Sequence, residues 1–173
     1  MAYRNKTFVS FASEDITHYR LMTAWKAHDH IDFNFYDAHD LNTARDTSQP
    51  ETIRRRLSER LANTKQVIML IGDDTRKKAA DSSTFVYHEV QVISSLNLPV
   101  VFANLNKSRT VEQHRIPTEL SGPYSISVSF QAKIIQYALD NFVTSFQENE
   151  SESGSKKTGP HHYVASVYTG LGL

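Results

Sequence analysis

The stretch from Asp81 to Glu89 (Asp-Ser-Ser-Thr-Phe-Val-Tyr-His-Glu) holds the strongest candidate for chemistry in this sequence. Glu89 follows Phe85 by four positions, so both side chains project from one side of a helix's opening turns. That helix is expected to begin beside the carboxyl ends of the strands, where ligands of open α/β sheets bind. Position alone also allows a plainer account, an exposed carboxylate stabilised by the helix dipole. Ser82 stands where a helix cap is expected. Asp37, His39 and Asp40 crowd the opening of a second polar loop, where turn hydrogen bonds alone would account for the aspartates. His39 and His88 are candidates for proton transfer or product binding, with loop and surface polarity as the plainer account. Glu14-Asp15 and Asp73-Asp74 come close to the acidic cluster of a phosphoacceptor site. Other chemistries have no support. There is no glycine-rich phosphate cradle and no nucleophile elbow around any serine. The absence of cysteine removes thiol nucleophiles, thiolate metal sites and disulfides together, and no metal site is expected.

The elements that must position these residues are legible from hydrophobic patterning. Thr7 to Phe11 is a β-branched and aromatic run with the composition of a buried strand. Ala12 to Asp15 is a polar, cap-rich turn leading to a helix over Ile16 to His28, with Tyr19, Met22 and Trp25 on one face. Phe33 to Tyr36 reads as a second strand, emptying into a polar loop from Asp37 to Gln49. Pro50 suits the first turn of a helix capped by Ser48, which continues through Ile53, Leu57 and Leu61. Gln66 to Ile71 is the clearest strand. Its nearly continuous apolar run fits a strand covered on both faces. A loop from Asp73 to Ser83 precedes a helix over Thr84 to Leu96, and Leu98 to Ala103 is the next buried strand. Ser125 to Ser129 alternates with period two as a fifth, edge-like strand, and Ala132 to Phe146 is the last helix.

Strands and helices therefore alternate, which predicts a five-stranded parallel sheet with helices on both faces in the flavodoxin-like arrangement. The globular part is expected over residues 1–146. From Gln147 to Pro160 the chain turns to Glu, Ser, Gly and Lys, so residues 147–173 are expected as a flexible linker and C-terminal tail. The more apolar His161 to Leu173 is either a frayed terminus or a segment that docks on a partner or a second copy. The formal net charge is zero and the basic residues are scattered, which argues against a nucleic-acid partner. No apolar stretch approaches the ~20 residues needed to cross a bilayer, and no signal-peptide pattern opens the chain. A cytoplasmic location is expected, in keeping with the lack of cysteine.

Several of these segments, in this order, resemble the TIR domain family. Phe8-Val9-Ser10-Phe11 with Ser13-Glu14-Asp15 is similar to its first strand and opening loop. Ser82-x-x-Phe85-Val86-x-x-Glu89 resembles the signature Ser-x-x-Trp-Cys-x-x-Glu, with Phe85 in place of Trp and Val86 in place of Cys. Phe35 to Asn42, Val128 to Phe130 and Ile134 to Asp140 look like the bacterial TIR-like subfamily that includes the TIR proteins of Thoeris anti-phage systems. The resemblance covers Asn5 to Phe146. It implies cleavage of the bond between nicotinamide and ribose in NAD, with NAD as substrate and no separate cofactor. It further implies an ADP-ribose-derived, often cyclic, signalling nucleotide that activates a separate effector protein, and self-association through TIR–TIR contacts. Carried over by position, Glu89 would be the catalytic glutamate. Phe11 and Ser13 would line the nucleotide pocket, and Phe85 would pack beneath it, with Ser82 beside it. Asp37 would lie in the loop that gates the pocket and contacts a neighbouring copy. The alternative is a module of the same fold, of TIR or receiver type, that works only through protein–protein contacts.

Overall fold

A computed structural model describes residues 6–31, 33 and 49–173. Its centre is a five-stranded sheet, all parallel, in the order β1 (Thr7–Ser10), β2 (Gln66–Ile71), β3 (Val100–Asn104), β4 (Ser125–Ser129) and β5 (Pro160–His162). The helices are α1 (Ile16–Ala27), α2 (Pro50–Leu61), α3 (Thr75–Ala79), α4 (Phe85–Ser95), α5 (Ala132–Ser151) and α6 (Ala165–Gly170). Every residue of β1 through β4 is buried, as expected for a parallel sheet with helices against both faces.

Because strand side chains alternate, the sheet divides the apolar residues into two cores. Val9, Phe11, Ile68, Leu70, Val101, Ala103, Ile126 and Val128 face α1 and α5, where Tyr19, Met22, Ile134, Ile135, Ala138, Leu139 and Phe142 complete one cluster. Phe8, Val67, Met69, Ile71, Val100 and Phe102 face the other way. They meet Leu57 and Leu61 of α2 and Val86, Val90 and Ile93 of α4. The helices sort by the same rule. α4 carries valines and isoleucine at helical spacing, and α2 packs across it through a leucine stripe. Pro50 begins α2 as expected, after Gln49, which makes no side-chain cap bond. Ser48, the expected cap, lies outside the described residues.

Two expectations meet a different structure, and a third lies mostly outside the described residues. Of the strand expected over Phe33 to Tyr36, only Phe33 is described; it belongs to no strand and packs its ring edge-on to Trp25 at 5.7 Å. Asn34 to Tyr36 lie outside the described residues. The loop over Asp73 to Ser83 contains a short helix, α3. The second difference concerns the C-terminal segment. α5 runs on to Ser151, and the chain then returns to the sheet as β5, paired with β4 from Ser125↔Pro160 to Ser127↔His162. β4 is thus an inner strand instead of an edge.

Residues 147–160 read as a linker because their Glu, Ser, Gly and Lys bury little apolar area. The C-terminal segment is instead held by polar bonds and by apolar side chains of its last residues, Tyr168 the most deeply buried. The Asn149 side chain closes the turn by donating to the Lys157 carbonyl at 3.0 Å and accepting from the Lys157 N–H at 2.7 Å. Gly159, at φ +69, takes the left-handed conformation that glycine adopts without strain and enters β5. Tyr168 of α6 is 0% exposed. Its hydroxyl accepts from the Ser129 N–H at 3.1 Å, and the Arg109 guanidinium lies 4.6 Å from its ring centroid. Tyr163, Val167, Leu171 and Leu173 pack against the same core.

Tyr168→Ala is expected to destabilise the protein by about 3–5 kcal/mol, the usual cost of deleting a buried aromatic side chain. Tyr168→Phe, which removes only the hydroxyl, is expected to cost about 1 kcal/mol. Chemical denaturation of the full chain measures both; midpoints unchanged by Tyr168→Ala would show that the segment does not hold to the sheet.

Candidate active site

Glu89 lies on the buried side of its helix. It stands three positions after Val86 and four before Ile93, so the spacing that packs those residues into the core carries the carboxylate inward with them. The result is a glutamate 3% exposed, which removes the account of Glu89 as a solvent-facing carboxylate. The group it meets is Ser10. The Ser10 hydroxyl, at the last position of β1, donates to Glu89 Oε2 at 2.6 Å. α4 follows β2 through α3, so its first turns lie over the carboxyl ends of the strands, and Ser10 ends β1 there.

The local sequence explains how α4 is aimed. Asp81 accepts from the Ser83 N–H at 2.9 Å and from the Ser83 hydroxyl at 2.6 Å, forming a tight polar turn. Thr84 then caps the helix, accepting from the Tyr87 N–H at 3.3 Å and donating to the Lys78 carbonyl at 2.6 Å. Ser82, expected as the cap, is exposed and yields that place to Thr84, because the helix opens at Phe85, two residues later than the serine would require. Phe85 is half-buried and joins neither apolar core.

The expected site residues do not all gather around Glu89. Phe11 is 7% exposed and points to the opposite face of the sheet from Ser10. There it stacks on Tyr19 with ring centroids 4.7 Å apart. Ser13 is exposed and donates to the adjacent Glu14 carboxylate at 3.1 Å. Asp37, with His39 and Asp40, lies outside the described residues. The residue that the geometry adds is Ser10. Its signal was available in Phe8-Val9-Ser10-Phe11, since period-two alternation puts Ser10 and Phe11 on different faces.

Two further titratable groups lie on segments adjoining the site in the chain. His88, beside Glu89 and only 4% exposed, has its pKa lowered, chiefly by burial, then by the Arg54 charge on α2; a backbone hydrogen bond at Ser82 acts in the opposite sense. Its Nδ1 is buried with no hydrogen-bond partner among the described residues. Asp15 sits where β1 leads into α1, with its carboxylate filling the space that a side chain at Gly72 would need. A Cβ at Gly72 would come 2.7 Å from Asp15 Oδ1. Burial raises the Asp15 pKa, the positive influence of His18 opposes this, and the Glu14 and Asp74 charges reinforce it. Two of the neighbouring acidic residues are drawn into ion pairs, Glu14 with Lys78 at 2.8 Å and Asp73 with Arg115. Lys78 holds the Glu14 pKa down, and the pairing leaves less of an acidic cluster than a phosphoacceptor site requires. Among the described residues no group of three or more acidic or histidine side chains is arranged to hold a metal ion.

Both shifts make signed predictions. A histidine whose folded-state pKa lies below 6.5 leaves the unfolded chain as the better proton binder, so stability falls as pH drops below that value. His88→Gln should flatten this part of the acid decline, as read from denaturation midpoints between pH 7 and pH 5. Asp15 has the opposite linkage. Its raised pKa means stability is lost as pH rises above 3.8 through the folded-state value, so ionised Asp15 is a cost at neutral pH. Asp15→Asn should raise the melting temperature at pH 7, with the gain shrinking toward pH 3. A gain independent of pH would point to a cause other than the charge.

A family model described as Thoeris protein ThsB, TIR-like domain, matches residues 8–110. The matched span includes Ser10, α4 with Glu89, and the first three strands. No curated protein matches the chain. The family match covers more than half of the 173 residues and carries the strand–helix order on which the site is built, and on it the chain belongs to the Thoeris ThsB TIR-like domain family.

Proposed function

We propose that this protein is a TIR-type NAD glycohydrolase or cyclase in which Glu89 is the catalytic carboxylate. The observation that carries the reading is the buried carboxylate at the ligand-binding end of a parallel sheet, hydrogen-bonded to a strand residue at 2.6 Å. Such a position is costly for a surface-type residue and gains a rationale if the carboxylate meets a charged reaction centre. Membership of the Thoeris TIR-like family supports the same reading.

The chemistry follows from NAD itself. The bond between ribose C1′ and the nicotinamide nitrogen breaks, and its electron pair neutralises the pyridinium as nicotinamide leaves. C1′ becomes oxocarbenium-like, and a fixed carboxylate nearby stabilises that charge and holds the ribose hydroxyls. A nucleophile then adds at C1′ and gives up its proton: water for the hydrolase, or a group within the same ADP-ribose for a cyclase. The product is proposed as an ADP-ribose-derived, cyclic signal that activates a separate effector in anti-phage defence. With Glu89 only 3% exposed, substrate reaches it after neighbouring groups move. Self-association through TIR–TIR contacts is the proposed cause of that opening. Among the described residues no helix is long and apolar enough to cross a membrane.

The test is nicotinamide release from NAD by the full chain, concentrated enough to assemble or taken from triggered cells. Glu89→Gln keeps the side chain's shape and an oxygen to accept from Ser10, but removes the charge. Its rate should fall by about 10²–10³-fold, the usual cost of losing one electrostatic stabiliser. Equal rates in the two proteins would remove Glu89 from the mechanism and favour the interaction-module alternative. Mass spectrometry of the nucleotides formed distinguishes linear ADP-ribose from a cyclic isomer.

A further inference from the structure

We propose that Ser10 is a positioning residue for Glu89, fixing one carboxylate oxygen from the sheet while the helix supplies the other end of the side chain. The inference rests on the reading of Glu89 as the NAD-cleaving group and adds a second residue on which that group's performance depends.

The local chemistry makes the pairing specific. Ser10 is fully buried on a strand face otherwise occupied by Phe8, Met69 and Ile71, where a hydroxyl costs free energy unless it is hydrogen-bonded. Glu89 is equally misplaced on the apolar stripe of α4. Each residue alone would weaken the core, and together they satisfy one another. Their separation of 2.6 Å lies in the range of a hydroxyl donating to an ionised carboxylate, which is stronger than a neutral hydrogen bond. Donation to the carboxylate favours its charged form, the form that stabilises a cationic C1′. The donor is also rigidly mounted. Ser10 pairs with Met69 in the β1–β2 ladder, so its hydroxyl is set by backbone hydrogen bonds of the sheet. Sites mounted on regular elements hold their geometry better than sites on loops. Ser125 and Ser127, on the same side of β4, offer a contrast: their buried hydroxyls have no hydrogen-bond partner among the described residues, whereas the Ser10 hydroxyl is committed to Glu89.

The experiment compares wild type, Ser10→Ala and Ser10→Thr in the full chain, reading kcat, KM and the rate–pH profile for nicotinamide release. Ser10→Ala is expected to lower kcat by about 10–100-fold with KM nearly unchanged, the span expected from losing one hydrogen bond to a charged group. The acid limb of its profile should move to higher pH, because the carboxylate has lost the donor that favoured ionisation. Ser10→Thr, which keeps the hydroxyl, should recover most of the rate and the wild-type limb. Wild-type kcat and profile in Ser10→Ala would overturn the assignment. So would equal losses in the alanine and threonine variants with an unmoved acid limb, which would mark a packing role only. No nicotinamide release from the wild-type chain would overturn the proposed function instead. Carboxyl-carbon NMR of Glu89 then tests the pairing apart from activity: its titration midpoint should rise in Ser10→Ala, and an unmoved midpoint overturns the inference.

Discussion

Covering a parallel sheet on both faces is the constraint from which the rest of this molecule follows. Each strand from β1 to β4 is buried along its whole length, so every residue must suit one of two apolar environments. Alternation then assigns the neighbours in the chain to opposite cores, Val9 with α1 and α5, Phe8 with α2 and α4. Hydrophobic burial at roughly 25 cal/mol per Å² makes a register slip very costly, because it would exchange the two sets at once. The ends of the strands inherit this precision. Ser10 is aimed at α4 for the same reason that Phe8 is.

Within that frame the site is a local exception to the rule of apolar burial. A serine and a glutamate occupy positions that packing alone would give to aliphatic residues, and the next residue, His88, is buried with a ring nitrogen that has no partner among the described residues. Asp15 adds a carboxylate whose pKa burial raises, lodged against Gly72 at the end of β2. These four polar groups lie near the ends of β1 and β2 and the opening of α4, while much of the remaining interior is apolar. Folds tolerate such costs where function needs charge held away from water. The pairing of the Ser10 hydroxyl with the Glu89 carboxylate is what gives the site its physical identity.

The C-terminal segment solves a different problem. A parallel sheet ending at β4 would present a row of unpaired backbone groups to solvent, and β5 covers part of that row. The Asn149 clamp and Gly159 bring the chain back to the edge, and Tyr168 fastens it by inserting a fully buried ring whose hydroxyl accepts from the backbone of Ser129. Both cores therefore depend on residues distant in sequence: Tyr168 completes the α1–α5 side as Leu57 and Leu61 complete the other.

The sequence by itself determined the alternation of elements, the parallel sheet and the helix that carries Glu89. These follow from periods of two and 3.6, which are local and survive without any knowledge of partners. It also singled out Glu89, through its spacing from Phe85 and its likeness to a short signature. Only the tertiary structure decided which residues meet that glutamate. Phe11 and Ser13 lay closest to the expected pocket by position along the chain, yet Phe11 faces the other core and Ser13 faces solvent, while Ser10 makes the contact. Contacts between a strand and a helix 79 positions apart depend on facing and register, which no local pattern states. The same holds for residues 147–173. The polar stretch up to Pro160 indicated a tail, whereas the structure holds the segment through edge pairing, a side-chain clamp and the apolar residues that follow, Tyr168 foremost.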